Sequence, residues 1–146
     1  KIKLNVKIQR NKEIKYGITK LSTYRKFARR VKSSRKKLKN IFIKINSKNK
    51  KIIGYGATAK STTILNYCKI NNNLISYFVD TTKDKQNKYT PGTKIPIFKY
   101  SGLIEKNVDF IFLGAWNFKE EIFEKEEKFI KRGGKFIIHT PVPKII

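Results

Sequence analysis

The 146-residue sequence predicts an α/β fold, a three-layer sandwich with a mostly parallel sheet and one extra N-terminal helix. Two observations support this prediction. Short apolar runs alternate with amphipathic stretches between residues 51 and 140, a pattern that favours parallel strands joined by right-handed helical crossovers. The first apolar run, KII at 51–53, leads directly into the glycine-rich segment GYGATAKSTT at 54–63, which is typical of a Rossmann-like strand-to-helix turn.

The extra helix is expected near the start of the chain. Apolar residues recur at spacings of three, four and seven from Leu21 to Ile45, which predicts one long amphipathic helix. Ser22 or Thr23 is expected to cap its start, because a hydroxyl oxygen can accept a hydrogen bond from a free backbone N–H. Residues 1–19 begin with the alternating KIKLNVKI and are interpreted as an arm or edge strand, so the Rossmann-like domain is placed at 20–146.

The rest of the chain divides into short apolar and longer amphipathic segments. Pro91 and Gly92 mark a turn, and Gly133 and Gly134 are expected to end the last helix. Strands are predicted at 51–56, 74–80, 94–98, 108–116 and 135–140, with helices at 59–70 and 117–134.

The formal net charge of +25 raises the hypothesis of a nucleic-acid-binding domain. Nearly all of this charge is lysine, the poorer residue for bidentate phosphate or base recognition, so a solvated lysine coat is favoured. No apolar run is long enough for a membrane helix, and no membrane partner is expected. The single cysteine, Cys68, excludes an internal disulfide and fits a cytoplasmic protein. The absence of methionine suggests a piece of a longer protein.

The glycine-rich segment has features of two phosphate-binding motifs, the P-loop and the dinucleotide-binding turn. A P-loop is excluded, because its lysine follows a glycine and here Ala59 precedes Lys60. The series Gly54-x-Gly56-x-x-Ala59 does satisfy the dinucleotide form, and Asp80 ends the next predicted strand, where a ribose-binding acid would stand. The alternative is that the glycines serve only close packing of helix on sheet.

Four segments in order make a more specific pattern: GYGATAKSTTILNY, YFVDTTKDKQNKYTPGTKIPI, DFIFLGAWNFKEEI and GGKFI. From about residue 20 onward the chain resembles the C-terminal domain of sugar C-methyltransferases. These S-adenosylmethionine-dependent enzymes methylate a keto-sugar carried on a nucleoside diphosphate. The resemblance implies a parent enzyme with an upstream structural-zinc region and a central domain that holds S-adenosylmethionine. This chain would then be its substrate-recognition domain, without a cofactor, metal or catalytic residue of its own and inactive alone.

The resemblance also implies which residues contact the nucleoside-diphosphate keto-sugar. Thr58 and Ser61 depart from a proline and a glycine that the family usually has. The implied positions follow three predicted strands and are Gly54, Tyr55, Gly56 and Lys60, then Asp80, Lys85, Gln86 and Tyr89, then Trp116 and Asn117.

Several of these residues have a structural alternative. Trp116 and Phe118 could pack in a core or an interface, and Asn117 could cap the following helix. His139 departs from the family ending and has no evident catalytic partner, so a structural histidine is favoured over a general base. Cys68 is expected to be buried and inert.

Two other functions remain open at this point. One is a Rossmann-like nucleotide-binding or sugar-nucleotide-binding module without methyl transfer, related to the N-terminal domains of sugar-nucleotide acyltransferases. The other is a basic nucleic-acid-binding domain. Sequence upstream of Lys1 in the native gene would separate them, because the methyltransferase hypothesis expects a cysteine-rich and a donor-binding region there.

Overall fold

The computed structural model describes residues 2–102 and 104–146 as two compact units that divide between Ser33 and Ser34. Its helices are α1 (Leu4–Lys15), α2 (Leu21–Asn46), α3 (Ala59–Cys68), α4 (Lys119–Lys125) and α5 (Glu127–Lys131). Its strands are β1 (Ile52–Tyr55), β2 (Phe78–Asp80), β3 (Lys88–Tyr89), β4 (Pro96–Lys99), β5 (Phe110–Leu113), β6 (Lys135–Ile138) and β7 (Lys144–Ile145). Short 3-10 helices cover Lys83–Lys85 and Trp116–Phe118.

The second unit is built on a seven-stranded sheet in the order β3-β4-β2-β1-β5-β6-β7. The five inner strands are parallel, whereas β3 and β7 add antiparallel edges. The chain runs from β1 outward through β2 and β4, then returns to the other side of β1 as β5. The strand order therefore reverses between β1 and β5, the place where ligands bind in open α/β sheets. The predicted Rossmann-like fold is confirmed.

Each face of this sheet carries its own apolar core, because successive side chains of a strand point to opposite faces. Ile52 belongs to one buried cluster, with Phe42 and Ile45 from α2 and Leu65 from α3. Ile53 belongs to the other, which includes Ile122 from α4, Phe129 from α5 and Phe136 from β6. Two helical layers with the sheet between them make the three-layer sandwich.

The first unit is helical from residue 4, so the expected arm or edge strand at 1–19 is wrong for its described part; Lys1 lies outside that part. Apolar and polar residues alternate only as far as Ile8. Beyond it, lysine, glutamine, arginine and glutamate are good helix formers, and Gln9 donates a hydrogen bond to Glu13 one turn later. Local helix propensity therefore decides this segment.

The predicted long helix is confirmed as α2, but its capping residue is not. The helix already begins at Leu21, which places Ser22 and Thr23 inside its first turn. The Thr23 N–H donates to the Lys20 carbonyl.

Two other boundaries also moved. The strand expected at 74–80 forms only at Phe78–Asp80. The helix expected at 117–134 is interrupted at Glu126 and divides into α4 and α5. None of the helices in the described ranges is long and apolar enough to span a membrane.

Candidate functional site

The sequence-predicted site residues, except Tyr89 on the edge strand β3, lie at or just after the carboxyl ends of β1, β2 and β5. The glycine-rich turn follows β1, Asp80 ends β2, and the 3-10 helix Trp116–Phe118 follows β5. Because β1 and β5 flank the point of strand reversal, their following turns lie at the edge where an α/β sheet forms its ligand crevice.

Packing alone requires both glycines of the turn. Gly54 is paired with Phe78 on one neighbouring strand and Phe112 on the other, and a Cβ atom here would lie 2.3 Å from the Phe78 ring. Gly56 has φ +79°, in the region that favours glycine, and its Cβ would lie 2.5 Å from the Cβ of Ala115. The packing alternative therefore accounts for both glycines without a ligand.

Thr58 and Ser61, which depart from the family pattern, cap the start of α3. The Ser61 N–H donates to Thr58 Oγ1 and the Thr58 N–H donates to Ser61 Oγ, each at 3.0 Å, which is a capping box. Thr58 Oγ1 also lies 3.2 Å from the Gly114 carbonyl after β5. Among the described contacts of this turn, the N–H groups of Ala59 and Lys60 remain without an internal acceptor.

Asp80 holds the glycine-rich turn against the end of β2. It is 6% exposed and accepts hydrogen bonds from the Ala57 N–H and the Thr82 N–H, both at 2.8 Å, and from Lys85 Nζ at 3.3 Å. Burial alone would raise the pKa of Asp80, but the hydrogen bonds from Thr82 and Ala57 and the Lys85 charge bring it below its ordinary value. These contacts explain Asp80 without a ribose.

Lys60, Trp116 and Asn117 form one cluster between the turns that follow β1 and β5. Lys60 Nζ lies 5.5 Å from the centre of the Trp116 ring and 3.3 Å from Asn117 Oδ1. Asn117 does not cap α4, which has no side-chain cap hydrogen bond, so that alternative is wrong. Trp116 and Phe118 are 39% and 61% exposed, which excludes core packing for both.

Two clefts open beside this cluster. One of about 290 Å³ is lined by Tyr55, Gly56, Thr82, Ala115 and Phe118 among others, and one of about 270 Å³ by Ala57, Thr62, Tyr89, Thr90 and Pro91 among others. Thr58 and Lys85 line both clefts. The site residue Tyr89 is 67% exposed on β3, and Gln86 donates to the Asp80 carbonyl at 3.1 Å.

The structure adds two residues that the sequence analysis missed, Tyr100 and Glu126, beside the predicted site residue Tyr55. The Tyr55 ring lies 5.2 Å from the Tyr100 ring, and Glu126 is 3% exposed and interacts electrostatically with both tyrosines. Burial raises the pKa of Glu126, and burial followed by the Glu126 charge raises the pKa of Tyr55 to about 12. Oε1 of Glu126 accepts no hydrogen bond from the described residues. No spacing links Tyr100 or Glu126 to Tyr55 in sequence, so only the fold reveals these two residues.

His139 and Cys68 are both buried. The His139 ring lies 5.5 Å from the Phe112 ring, Nδ1 has no hydrogen-bond partner in the described ranges, and burial lowers its pKa. Burial raises the pKa of the Cys68 thiol. Within residues 2–102 and 104–146, no group of three or more histidine, cysteine or acidic side chains could hold a metal ion.

The strand order, the capped turn and the helices on both faces of the sheet define a Rossmann-like α/β domain. Residues 1–143 match the family model described as the C-methyltransferase C-terminal domain, and the chain belongs to that family. It is also similar to the C-methyltransferase NovU of Streptomyces niveus, with 34% identity over 130 residues. That match covers 89% of this chain and 31% of the relative, so the chain spans about a third of the relative's length. The family match begins at residue 1 and therefore includes α1, whereas the motifs supported a resemblance only from about residue 20.

Proposed function

We propose that this chain is the substrate-recognition domain of an S-adenosylmethionine-dependent methyltransferase whose substrate is a keto-sugar linked to a nucleoside diphosphate. Family membership supports the link to methyl transfer. The observation that supports substrate binding best is the cluster of Lys60, Trp116 and Asn117 at the point of strand reversal. It combines a cation, an exposed aromatic face and a polar amide beside two clefts.

The cation suits a diphosphate. An ammonium group has three N–H donors, and Asn117 accepts one of them, so two remain for anionic oxygens. The N–H groups of Ala59 and Lys60 and the positive end of the α3 dipole lie in the same turn and also favour negative charge. An exposed lysine with these neighbours provides charge-assisted hydrogen bonds to a ligand that bridges the turn.

The aromatic residues suit the sugar or the base. Phe118 and Tyr89 expose large apolar faces, one at each cleft, and Trp116 is exposed in the same 3-10 helix as Phe118. Such faces stack on rings of similar size. Each cleft lies just below the lower end of the range of roughly 300–1,000 Å³ that is typical of sites enclosing a drug-sized ligand. A nucleotide sugar would therefore be held partly here and partly by the rest of the parent enzyme.

The glycine-rich turn does not fit S-adenosylmethionine. Asp80 is only 6% exposed and both of its carboxylate oxygens already accept hydrogen bonds from this chain, which disfavours it as an acceptor for ribose hydroxyls. Gly56 packs on Ala115 instead of leaving a cradle for a ligand. We therefore assign the methyl donor and any structural zinc to the remainder of the parent enzyme, and we expect this chain to work in the cytoplasm as part of that enzyme.

Calorimetric titration of a nucleoside-diphosphate sugar into the complete parent enzyme tests this proposal. Replacing Lys60 with alanine should weaken binding about tenfold, which is about 1.4 kcal/mol and fits the loss of one charge-assisted hydrogen bond. Replacing Trp116 with alanine should have an effect of similar size. Lys106→Ala is the matched control, because Lys106 is exposed near the amino-terminal edge of the sheet. Unchanged affinity in folded Lys60 and Trp116 variants would refute binding at this cluster.

A further inference from the structure

The N-terminal segment, defined here as residues 4–27, exposes many large apolar side chains. Helix α1 has twelve residues and buries none of them. Leu4, Tyr16 and Phe27 are 72%, 79% and 59% exposed. A helix of this length is marginal in water unless an apolar face packs on something, so the segment has the surface of an interface.

The charge around this segment is almost entirely positive. Glu13 is the one acidic residue in residues 2–33. Arg25, Arg29 and Lys32 follow one another on a face of α2, and no salt bridge joins them to an acid in the part of the chain that the structure describes. Like charges one turn apart destabilise a helix, so an acidic surface against them would relieve that repulsion.

The distribution of the apolar residues decides between kinds of partner. At about 100° per residue, Leu4 and Val6 project from nearly opposite sides of α1, and Ile14 from a third direction. A helix that lies on a membrane needs its apolar residues on one face, so this pattern does not suit a lipid surface. A nucleic acid offers phosphates but no apolar groove, and a second copy would bring like charge against like charge. A protein groove lined by apolar and acidic residues satisfies all of these features.

We infer that the N-terminal segment docks into an acidic, apolar-lined groove on the donor-binding part of the same parent enzyme. This inference rests on the proposed function, which supplies that part. The family match includes the whole of the segment. The relative of this family is about three times as long as the stretch that matches, which leaves ample protein to form the groove. Exposed tyrosine, phenylalanine and arginine are typical of interface cores.

Hydrogen–deuterium exchange on the complete parent enzyme and on this chain alone tests the inference. Amides of α1 should exchange at least about tenfold more slowly in the parent, because docking suppresses local opening. In the parent, Leu21→Ser and Phe27→Ser should restore fast exchange in α1. Ile43→Ser is the matched control. Ile43 lies on α2, as Leu21 and Phe27 do, and is 48% exposed, but it is outside the N-terminal segment. It should leave α1 protected.

Three results would overturn the inference. One is equally fast α1 exchange in the parent and in the chain alone. Another is equal loss of protection in the Ile43 control. The third is protection of the isolated chain, at physiological ionic strength, by mixed-sequence duplex DNA or by phosphatidylserine vesicles. None of these depends on sugar binding, so an enzyme that titrates normally with the nucleotide sugar yet leaves α1 unprotected would refute the docking alone.

Discussion

Asp80 should contribute more to stability than any other acidic residue at the site. Replacing it with alanine leaves the N–H groups of Ala57 and Thr82 without their acceptor and removes the ion pair with Lys85. A buried donor left unsatisfied costs about 1–3 kcal/mol. We expect a loss of about 2–5 kcal/mol in the free energy of unfolding. The buried Ala57 N–H accounts for about 1–3 kcal/mol, and the Thr82 bond, whose donor water can reach, together with the partly exposed Lys85 pair accounts for about 1–2 kcal/mol.

Urea unfolding of this chain, followed by circular dichroism, measures this change. Asp80→Asn should lose about 1–3 kcal/mol. The Asn side-chain oxygen can still accept one of the two backbone N–H bonds, but its NH2 group then faces the other N–H donor. Asp84→Asn is the control, because Asp84 is exposed in the neighbouring 3-10 helix and should change stability by less than about 0.5 kcal/mol. If Asp80→Ala unfolds at the same urea concentration as Asp84→Asn, the proposed attachment of the turn is wrong.

The pH dependence of the same unfolding follows from the lowered pKa of Asp80. Because the folded state binds this proton less readily, the stabilisation is complete above the unfolded pKa of about 3.9. It is lost as the pH falls through the lower folded value. The Asp80→Asn variant should therefore lose less stability than the wild type on acidification.

The remaining predictions concern burial, packing and activity. Glu126→Gln should stabilise the chain relative to wild type at about pH 8 but not at about pH 4. The raised pKa of Glu126 means that the folded state favours the neutral carboxyl, so the stability of the wild type falls as the pH rises and this group ionises. The same difference in stability between variant and wild type at both pH values would contradict this. Gly54→Ala should destabilise by about 1–3 kcal/mol in urea unfolding, since the Phe78 ring must move; an unchanged midpoint would show that the ring yields freely. This chain alone, incubated with labelled S-adenosylmethionine and a keto-sugar nucleotide, should transfer no methyl group. Turnover would refute the proposal that the methyl donor binds to another part of the parent enzyme.

The sequence predicts β1, the following turn and α3 well because their signals are local. An apolar run, two glycines and the hydroxyls of Thr58 and Ser61 all lie within a dozen residues, roughly the length over which local patterns hold. The two-residue strands β3 and β7 have no such signal, since they exist only through pairing with β4 and β6. The sequence predicts an arm or edge strand where α1 forms, because KIKLNVKI alternates like a strand, whereas the helix formers after Ile8 decide the segment.

The candidate site shows the same difference between features that the sequence predicts and features that depend on long-range contacts. Lys60, Trp116 and Asn117 were identified through their family positions, and the fold brings them together. The hydrogen bond from Ala57 to Asp80 and the burial of Glu126 depend on residues that are far apart in sequence, which no local pattern encodes. Sequence therefore indicated where the site lies, whereas the contacts that fix its shape required the three-dimensional structure.

Lys85 and Thr58 form a common wall of the two clefts, and this has a thermodynamic consequence. A ligand in one cleft that draws the Lys85 ammonium toward itself weakens the bond from that ammonium to Asp80 and changes the charge facing the other cleft. Occupancy of either cleft then alters affinity at its neighbour, and linkage requires the effect to be equal in both directions. Two halves of one ligand held on either side of this wall would bind as a coupled unit, with an affinity that differs from the sum of two separate fragments.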